Sequence, residues 1–333
     1  MVYSIKRSMF LLIALFITTA TFLSGCNFGE SEDEIELAEV TRSVFYAPQY
    51  VAISEGFFED EGLDVELTTT WGGDNTMTTL LSDGADIALV GAETSIYVYG
   101  QEAVDPAINF AQLTETDGTF LVGREEHENF EWGDLEGASF LGQREGGMPQ
   151  MVGEYVLREH GIDPHEDLDL NQGVDFENIP SAFASGDEDY VQLFEPQATQ
   201  FEEEEIGHVL GSFGTESGNV PYTVYMSKQS FLEENDEQIE KFTRAIHRAQ
   251  QWVHEQSAEE VAESIQEFFD ETDKDTIAQS VERYRDQGSY AESPLLDEDG
   301  WYLLQEIMED AGELPEHVEY DTLVETDFAE RVE

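Results

Sequence analysis

Apolar and polar residues follow a repeating strand–helix pattern over most of the chain. Residues 85–91 (ADIALVG) form an apolar run that is typical of a strand buried on both faces. Residues 63–67 alternate apolar and polar side chains, as a half-buried strand does. We predict a further strand over residues 42–47 and helices over residues 49–58 and 93–101. This order predicts an α/β fold with largely parallel sheets that helices cover on both faces.

A second unit with the same pattern follows the first. It contains predicted strands over residues 139–141, 190–194 and 208–212, and a predicted helix over residues 148–160. Residues 220–226 then predict a strand that returns to the first unit, and most of the remaining chain has helical spacing.

These two units define two predicted lobes. We assign residues 40–123 and 221–333 to lobe 1, which includes the C-terminal helices, and residues 124–220 to lobe 2. Ligands of such sheets bind at the carboxyl ends of the strands, in a crevice. We therefore expect a binding cleft between the lobes.

The N-terminus predicts export from the cytoplasm. Residues 9–22 are apolar and follow two basic residues, but they are too few for a membrane span, which needs about 20. Residues 23–26 (LSGC) resemble the lipobox of bacterial lipoproteins, in which the Cys becomes the lipid-modified first residue. We expect residues 1–26 to be a lipoprotein signal peptide and acylated Cys26 to hold the protein at the cell membrane. The alternatives are an ordinary signal peptide or a short hydrophobic anchor with an incidental Cys.

The charge of the chain is strongly negative. There are 75 acidic and 14 basic residues, which gives a net charge of −61. A nucleic-acid partner is excluded because phosphate contacts require a basic face. Residues 27–39 are acidic, and we predict a flexible tether there. Self-repulsion across such a surface predicts a halophilic protein whose melting temperature rises between low and molar salt.

The sequence offers little for catalysis. Cys26 is the only Cys, so intramolecular disulfides and Cys-rich metal sites are excluded. The seven His are scattered and form no nucleophile–base pair. We therefore predict a binding protein rather than an enzyme, with no cofactor and no metal.

Several short motifs carry a family resemblance. They are residues 46–58 (YAPQYVAISEGFF), residues 61–65 (EGLDV), the glycine pair at 72–73 and residues 84–88 (GADIA). Together they resemble the nitrate/sulfonate/taurine and thiamine-pyrimidine-precursor group of solute-binding proteins. The resemblance implies a two-lobed, type II periplasmic-binding-protein fold, with two mixed, mostly parallel sheets and a helical C-terminal region. It also implies a monomer that works with an ABC permease and its ATPase.

The resemblance places the ligand contacts in loops that follow strands. The candidate residues are Tyr46, Pro48, Trp71, Gly73, Asn75, Glu93, Thr94, Gln112, Thr114, Arg144, Gly146, Gly147, Glu195 and Tyr222. Most of them have a structural alternative. A carboxylate at Glu93 or Glu195 is favoured by a helix N-terminus alone, Trp71 could anchor its loop, and Tyr222 could pack a hinge.

The residue types indicate the ligand class. Aromatic faces with carboxylate acceptors suit a flat nitrogen heterocycle with amino groups, whereas a sulfonate or nitrate needs concentrated donors. We therefore favour a thiamine pyrimidine precursor or a related heteroaromatic such as riboflavin. The alternatives are a sulfonate, taurine or nitrate, a sensor that lacks a transporter, and a pyrimidine-synthesising enzyme on the same fold.

Overall fold

The computed structural model describes residues 34–332. The strands are β1 (Glu34–Glu39), β2 (Asp64–Thr69), β3 (Ile87–Gly91), β4 (Ala107–Thr114), β5 (Thr119–Gly123), β6 (Ser139–Leu141), β7 (Asp169–Asn171), β8 (Tyr190–Phe194), β9 (His208–Ser212) and β10 (Thr223–Lys228). The helices of the first part are α1 (Ala47–Ser54), α2 (Phe57–Asp60), α3 (Gly73–Leu81), α4 (Glu93–Gly100), α5 (Met148–Glu159), α6 (Ile179–Ser185), α7 (Gln197–Glu203) and α8 (Phe213–Ser217). Those that follow β10 are α9 (Gln229–Glu234), α10 (Asp236–Glu255), α11 (Ala258–Ile265), α12 (Lys274–Gln287), α13 (Glu298–Asp310), α14 (Tyr320–Leu323) and α15 (Asp327–Val332).

The strands form two mixed sheets with matching order. The first sheet has the order β2-β1-β3-β10-β4 and the second has β7-β6-β8-β5-β9. In the first sheet β1 pairs parallel to β3, and β10 is antiparallel to β3 and β4. In the second, β6 is parallel to β7 and β8, and β5 is antiparallel to β8 and β9. The predicted α/β class with two mixed sheets is confirmed.

Continuous apolar runs supply the central strands. β4 is buried along its whole length, and β3 is buried except at its last residue. On α10, Ile239, Phe242 and Ile246 lie on one buried face, while the opposite face is charged. Burying each such side chain contributes about 1.5–3 kcal/mol, so these faces hold the helices against the sheets.

Two backbone segments cross between the lobes. The first connects β4 to β5, and the second connects α8 to β10. The crossovers are hydrogen-bonded to each other. The Val220 N–H donates to the Glu115 carbonyl (2.8 Å), and the Tyr222 N–H donates to the Thr114 carbonyl (3.2 Å).

The predicted lobe boundary after residue 123 is wrong. β5 (Thr119–Gly123) pairs with β8 and β9, so it belongs to lobe 2. The crossover is the short segment 115–118. The apolar sequence of a strand next to a crossover does not indicate which of the two sheets the strand joins. Only the strands that pair with it show on which side of the lobe boundary it lies.

The first strand also differs from its prediction. Residues 34–39 form β1, whereas residues 44–46 form a 3₁₀ turn, so the predicted strand over residues 42–47 is wrong. The predicted tether over residues 27–39 is likewise wrong for its last six residues; residues 27–33 and Cys26 lie outside the described part. Acidic residues alternate in this strand with Ile35 and Leu37, whose side chains are buried. The prediction gave weight to the acidic residues and not to this alternation.

The last residue of β1, Glu39, is buried although it is charged. Its carboxylate accepts hydrogen bonds from the Gln49 amide (2.8 Å), the Tyr50 hydroxyl (2.8 Å) and the Thr69 hydroxyl (2.8 Å). These partners replace water, which is the condition for burying a polar group. Burial nevertheless raises the pKa of the Glu39 carboxyl.

The C-terminal helices contact both lobes. α12 packs against α7 of lobe 2 and against the 3₁₀ turn at Val44–Tyr46 of lobe 1, and α13 packs against both α4 and α5. Arg158 of α5 also pairs with Asp310 of α13 at 2.6 Å. Within residues 34–332, no helix has both the length and the apolar character that a bilayer span requires.

Candidate ligand-binding cleft

A cavity of about 780 Å³ lies between the two lobes. Lobe 1 contributes the segment after β1, the end of β3, the start of α3 and the first turns of α4. Lobe 2 contributes the glycine loop 143–149 together with Phe176 and Phe194. Its volume is in the range of small-molecule sites. We call it the main compartment.

Glu93 is the buried carboxylate of the main compartment. It begins α4, two residues after β3, and is 5% exposed. Its Oε2 atom is buried without a hydrogen-bond partner. Burial raises the pKa of the Glu93 carboxyl to about 8, although the backbone N–H groups of Met148 and Thr94 favour its charged form. When the group is deprotonated, its Oε2 atom is a free acceptor for an amino group of a ligand.

The backbone at Gly91 makes room for that carboxylate. A Cβ atom at residue 91 would lie 2.1 Å from Oε2 of Glu93. Any larger residue would therefore displace the Glu93 side chain from its position. The glycine at the end of β3 is part of the site because of this close approach.

Tyrosine side chains form the wall beside Glu93. Tyr46 and Tyr222 are buried, and burial raises the pKa of both phenols. The Tyr222 hydroxyl lies close to the buried carboxyl of Asp117, which adds to the rise in the pKa of its phenol. Its ring meets Phe45 edge-on, with a centroid separation of 5.5 Å. The wall therefore offers flat apolar faces with hydroxyl groups at their edges.

Lobe 2 closes the main compartment with its glycine loop. Gly146 has a φ of 85°, in the left-handed region that glycine tolerates. Its carbonyl accepts a hydrogen bond from the Tyr97 hydroxyl of lobe 1 (3.4 Å). Arg144 pairs with Asp74 of lobe 1 at 3.3 Å, and both side chains are exposed. Gln143 is buried, and its Oε1 atom has no partner.

The structure brings one group of the predicted site residues to the main compartment and leaves the others outside it. The residues that line it are Tyr46, Gly73, Glu93, Thr94, Arg144, Gly146, Gly147 and Tyr222. The predicted residues outside its lining are Pro48, Trp71, Asn75, Gln112, Thr114 and Glu195. Trp71 lies on an adjoining cavity instead.

Glu195 is the clearest case of a predicted residue that lies elsewhere. It is fully buried after β8, and its Oε1 accepts from the Arg283 guanidinium (2.6 Å). The Thr199 N–H (2.9 Å) and the Ser280 hydroxyl (3.4 Å) donate to Oε2. Both carboxylate oxygens are thus engaged within the protein, and Glu195 fastens lobe 2 to α12.

The other residues outside the lining have structural contacts. Pro48 is buried in the first turn of α1, and the Asn75 amide donates to the Trp71 carbonyl (2.9 Å). The Gln112 N–H donates to the Pro294 carbonyl, so the C-terminal region covers this end of β4. The Thr114 hydroxyl accepts from the Thr223 N–H (3.1 Å) where the crossovers begin.

Sequence reasoning missed several lining residues. Gln143 stands directly before the predicted glycine loop, so its position was a usable signal. Tyr97 lies one helical turn after Glu93, which places it on the same face of α4. Phe176 and Phe194 come from a short turn and a strand end of lobe 2, and nothing in their local sequence distinguishes them from core residues.

Comparison with known proteins agrees with this architecture. The protein "Putative binding protein YtlA" of Bacillus subtilis (strain 168) is 60% identical over 310 residues, which cover 93% of each chain. Similar solved structures include the ligand binding component of an ABC-type import system from Staphylococcus aureus. It has a TM-score of 0.73 and 13% identity, with 91% of this chain and 99% of that chain covered.

The same fold occurs with different activities. The alkanesulfonate-binding protein SsuA from Xanthomonas axonopodis pv. citri, bound to MOPS, has a TM-score of 0.71 and 12% identity, covering 90% of this chain and all of that chain. The desulfurization enzyme DSZB has a TM-score of 0.62 and 15% identity, covering 90% and 99%. At these identities the likeness establishes the fold alone.

The family itself is established by sequence. The NMT1-like family matches residues 40–266, which include every strand of both sheets except β1 and the lining of the main compartment up to Thr223. Together with the similarity to the Bacillus subtilis protein over nearly the full length, this match decides the assignment. The chain belongs to the NMT1-like family and has the two-lobed α/β fold of periplasmic binding proteins.

Proposed function

We propose that the protein is the extracytoplasmic solute-binding component of an ABC importer. We further propose that its cleft takes a flat nitrogen heterocycle with an amino group, such as a thiamine pyrimidine precursor. The observation that carries the ligand class is the unpaired, buried Glu93 carboxylate in an aromatic-walled cavity between the lobes.

The transport role draws on the architecture and on the named relatives. A cleft between two lobes that two crossovers connect can enclose a solute by hinge rotation. The similar Bacillus subtilis protein is described as a binding protein, and the similar Staphylococcus aureus protein is the ligand binding component of an ABC-type import system. An acylated Cys26 would keep the protein at the membrane, near a permease and its ATPase.

The ligand class follows from the polar groups of the main compartment. Glu93 Oε2 and Gln143 Oε1 are buried acceptors without partners, and each needs a donor. Among the described residues that line the cavity, Arg144 is the only cation, and it is paired with Asp74. A sulfonate or nitrate would meet few free donors and, above about pH 8, a charged carboxylate, whereas an amino group can donate to both of these acceptors.

Calorimetric titration of the full chain, purified in mild detergent, tests this proposal. The panel contains aminopyrimidines, riboflavin, taurine, alkanesulfonates and nitrate, and mass spectrometry establishes that the bound ligand is recovered unchanged. We expect an aminopyrimidine or flavin to bind. Glu93→Gln should weaken this binding by about 10- to 100-fold when it is measured above about pH 8, where the Glu93 carboxylate is charged and its hydrogen bond to the ligand is lost in the variant.

Glu145→Gln is the matched control, because Glu145 lines the same cavity but is exposed to solvent. It should leave the affinity within about twofold. Binding of taurine or an alkanesulfonate alone would refute the proposed ligand class. A ligand that is recovered chemically altered would refute a purely binding role.

A further inference from the structure

A second cavity of about 380 Å³ adjoins the main compartment. The two cavities share lining residues from both lobes, namely Thr41, Ser43, Gln143, Phe176 and Phe194. Phe176 and Phe194 meet edge-on at 5.8 Å between ring centroids. We call this cavity the side compartment. The shared residues place the side compartment directly beside the main compartment, within reach of a substituent on a ligand bound there.

The size of the main compartment favours a ligand larger than one ring. Drug-sized molecules occupy sites of about 300–1,000 Å³, and the main compartment alone has about 780 Å³. A single aminopyrimidine ring would contact Glu93 and one aromatic wall, but it would not extend into the side compartment. A substituent on the ring would extend in that direction.

The side compartment is lined by neutral polar groups. Gln143, Asn178 and Gln197 contribute amides, and Thr41 and Ser43 contribute hydroxyls. Amide and hydroxyl groups both donate and accept, so they match the hydroxyl groups of a polyol. One of them, Gln143 Oε1, is buried without a partner at the junction of the two compartments.

Trp71 gives the side compartment its flat apolar face. It is 53% exposed, and its backbone is held in the left-handed region with a φ of 57°. The Asn75 amide fixes this conformation by donating to the Trp71 carbonyl. An exposed indole in a strained backbone is unfavourable without a contact partner, and indole faces pack well on the C–H faces of sugars and on rings.

The cation of the side compartment, Arg42, already has an acidic partner within the protein. Arg42 lies 3.4 Å from the Glu39 carboxylate, and its guanidinium lies over the rings of Tyr50 (5.2 Å) and Phe268 (5.3 Å). The only other charged lining residue of the described chain is Glu177. Arg42 Nη1 has no partner, which makes a phosphorylated arm the alternative that an experiment must separate.

We infer that the ligand is a heteroaromatic ring that carries a polyhydroxylated arm, with the ring beside Glu93 in the main compartment and the arm against Trp71 in the side compartment. This inference rests on the proposed function and narrows its ligand class. Nucleosides and ribityl-bearing flavins have this composition, whereas free bases lack the arm.

Paired titrations of the full chain test the inference. The pairs are cytosine with cytidine, adenine with adenosine, and lumichrome with riboflavin; CMP and AMP provide the phosphorylated arm. We expect at least one arm-bearing compound to bind about tenfold more tightly than its base. Trp71→Ala should abolish this difference and leave the affinity for the base within about twofold.

Tyr302→Ala is the control, because Tyr302 is an aromatic residue with 42% exposure on α13, outside both compartments. It should preserve the difference between base and nucleoside. Gln197→Ala is a second variant that should reduce the difference without the loss of an aromatic side chain.

The outcomes separate the inference from the proposed function. Equal binding of base and nucleoside in the unmodified protein would overturn the inference and leave the proposed function standing. A Trp71→Ala variant that weakens base and nucleoside equally would also overturn it. Clearly tighter binding of the monophosphates would replace the polyol arm by a phosphorylated one, and binding of sulfonates alone would overturn both proposals.

Discussion

Each lobe carries a buried glutamate just beyond the carboxyl end of the middle strand of its sheet. In lobe 1 it is Glu93 after β3, and in lobe 2 it is Glu195 after β8. Arg283 of α12 reaches Glu195 at 2.6 Å, together with Thr199 and Ser280. The Oε2 atom of Glu93 has no such partner and lies at the cavity between the lobes.

Glu93 and Glu195 have the same local sequence context but different roles, one at the ligand cavity and the other in an internal ion pair. A carboxylate that follows a strand and precedes a helix is favourable at the helix N-terminus in both lobes. The role is decided by a cation supplied from 88 residues away in the chain. The variants below alter either the partner of Glu195 or the cavity that contains Glu93.

The largest effect is expected from Arg283→Ala. This variant leaves the Glu195 carboxylate buried without its cation, which should cost about 3–5 kcal/mol of unfolding free energy. Urea denaturation measures it. Lys274→Ala on the same helix is the control, because Lys274 and its partner Glu263 are both exposed, and it should cost less than about 1 kcal/mol. Equal costs for the two variants would show that the buried pair is not special.

The second effect is the contribution of Glu93 to the pH dependence of stability. Its pKa is raised from 4.5 to about 8 in the folded state, so between these values the folded protein keeps a proton that the unfolded chain has lost. The stability contributed by this proton is complete below about pH 4.5 and is lost as the pH rises through about 8. Denaturation curves at pH 5 and pH 8 should therefore differ less in Glu93→Gln than in the unmodified protein. Parallel pH profiles for the two proteins would contradict the prediction.

A third, smaller effect is expected from Gly91→Ala. The added Cβ displaces the Glu93 carboxylate, which is the mobile end of a side chain, so the fold should survive while ligand affinity falls by about tenfold. Calorimetry and a melting curve measure the two quantities. Gly133→Ala is the control, because a Cβ there meets no atom within 4 Å. A large fall in melting temperature without a loss of affinity would argue against this role of Gly91.

The smallest effect concerns the ion pair across the cleft. Asp74 and Arg144 are exposed, so Asp74→Asn should weaken ligand binding by only a few-fold, and the difference should vanish in molar salt. Asp60→Asn removes a comparable pair with Arg248 that lies within lobe 1, and it should not change affinity. A salt-independent effect of Asp74→Asn would indicate a direct ligand contact instead.

Sequence reasoning predicted the parts of the molecule that depend on local pattern. The apolar run of β3, the loop residues Gly146 and Gly147 before α5 and the position of Glu93 all follow from short-range signals. Three features depended on distant partners and could not be predicted in this way. β1 is acidic yet is held by its neighbours in the sheet, β5 joins lobe 2 through its pairing with β8, and Glu195 is neutralised by Arg283.

The hydrogen bonds between the two crossover segments bear on how ligand binding in the cavity affects the orientation of the lobes. Because the Val220 and Tyr222 N–H groups donate to the other segment, rotation of one lobe must change the backbone angles of both segments together. Tyr222 lies on the second of these crossover segments, and its ring also forms part of the cavity wall. A ligand that packs against the ring therefore favours one backbone conformation of the two crossover segments over others. Tyr222 thus belongs both to the cavity wall and to the connection between the lobes, so it offers a direct link between occupancy and lobe orientation.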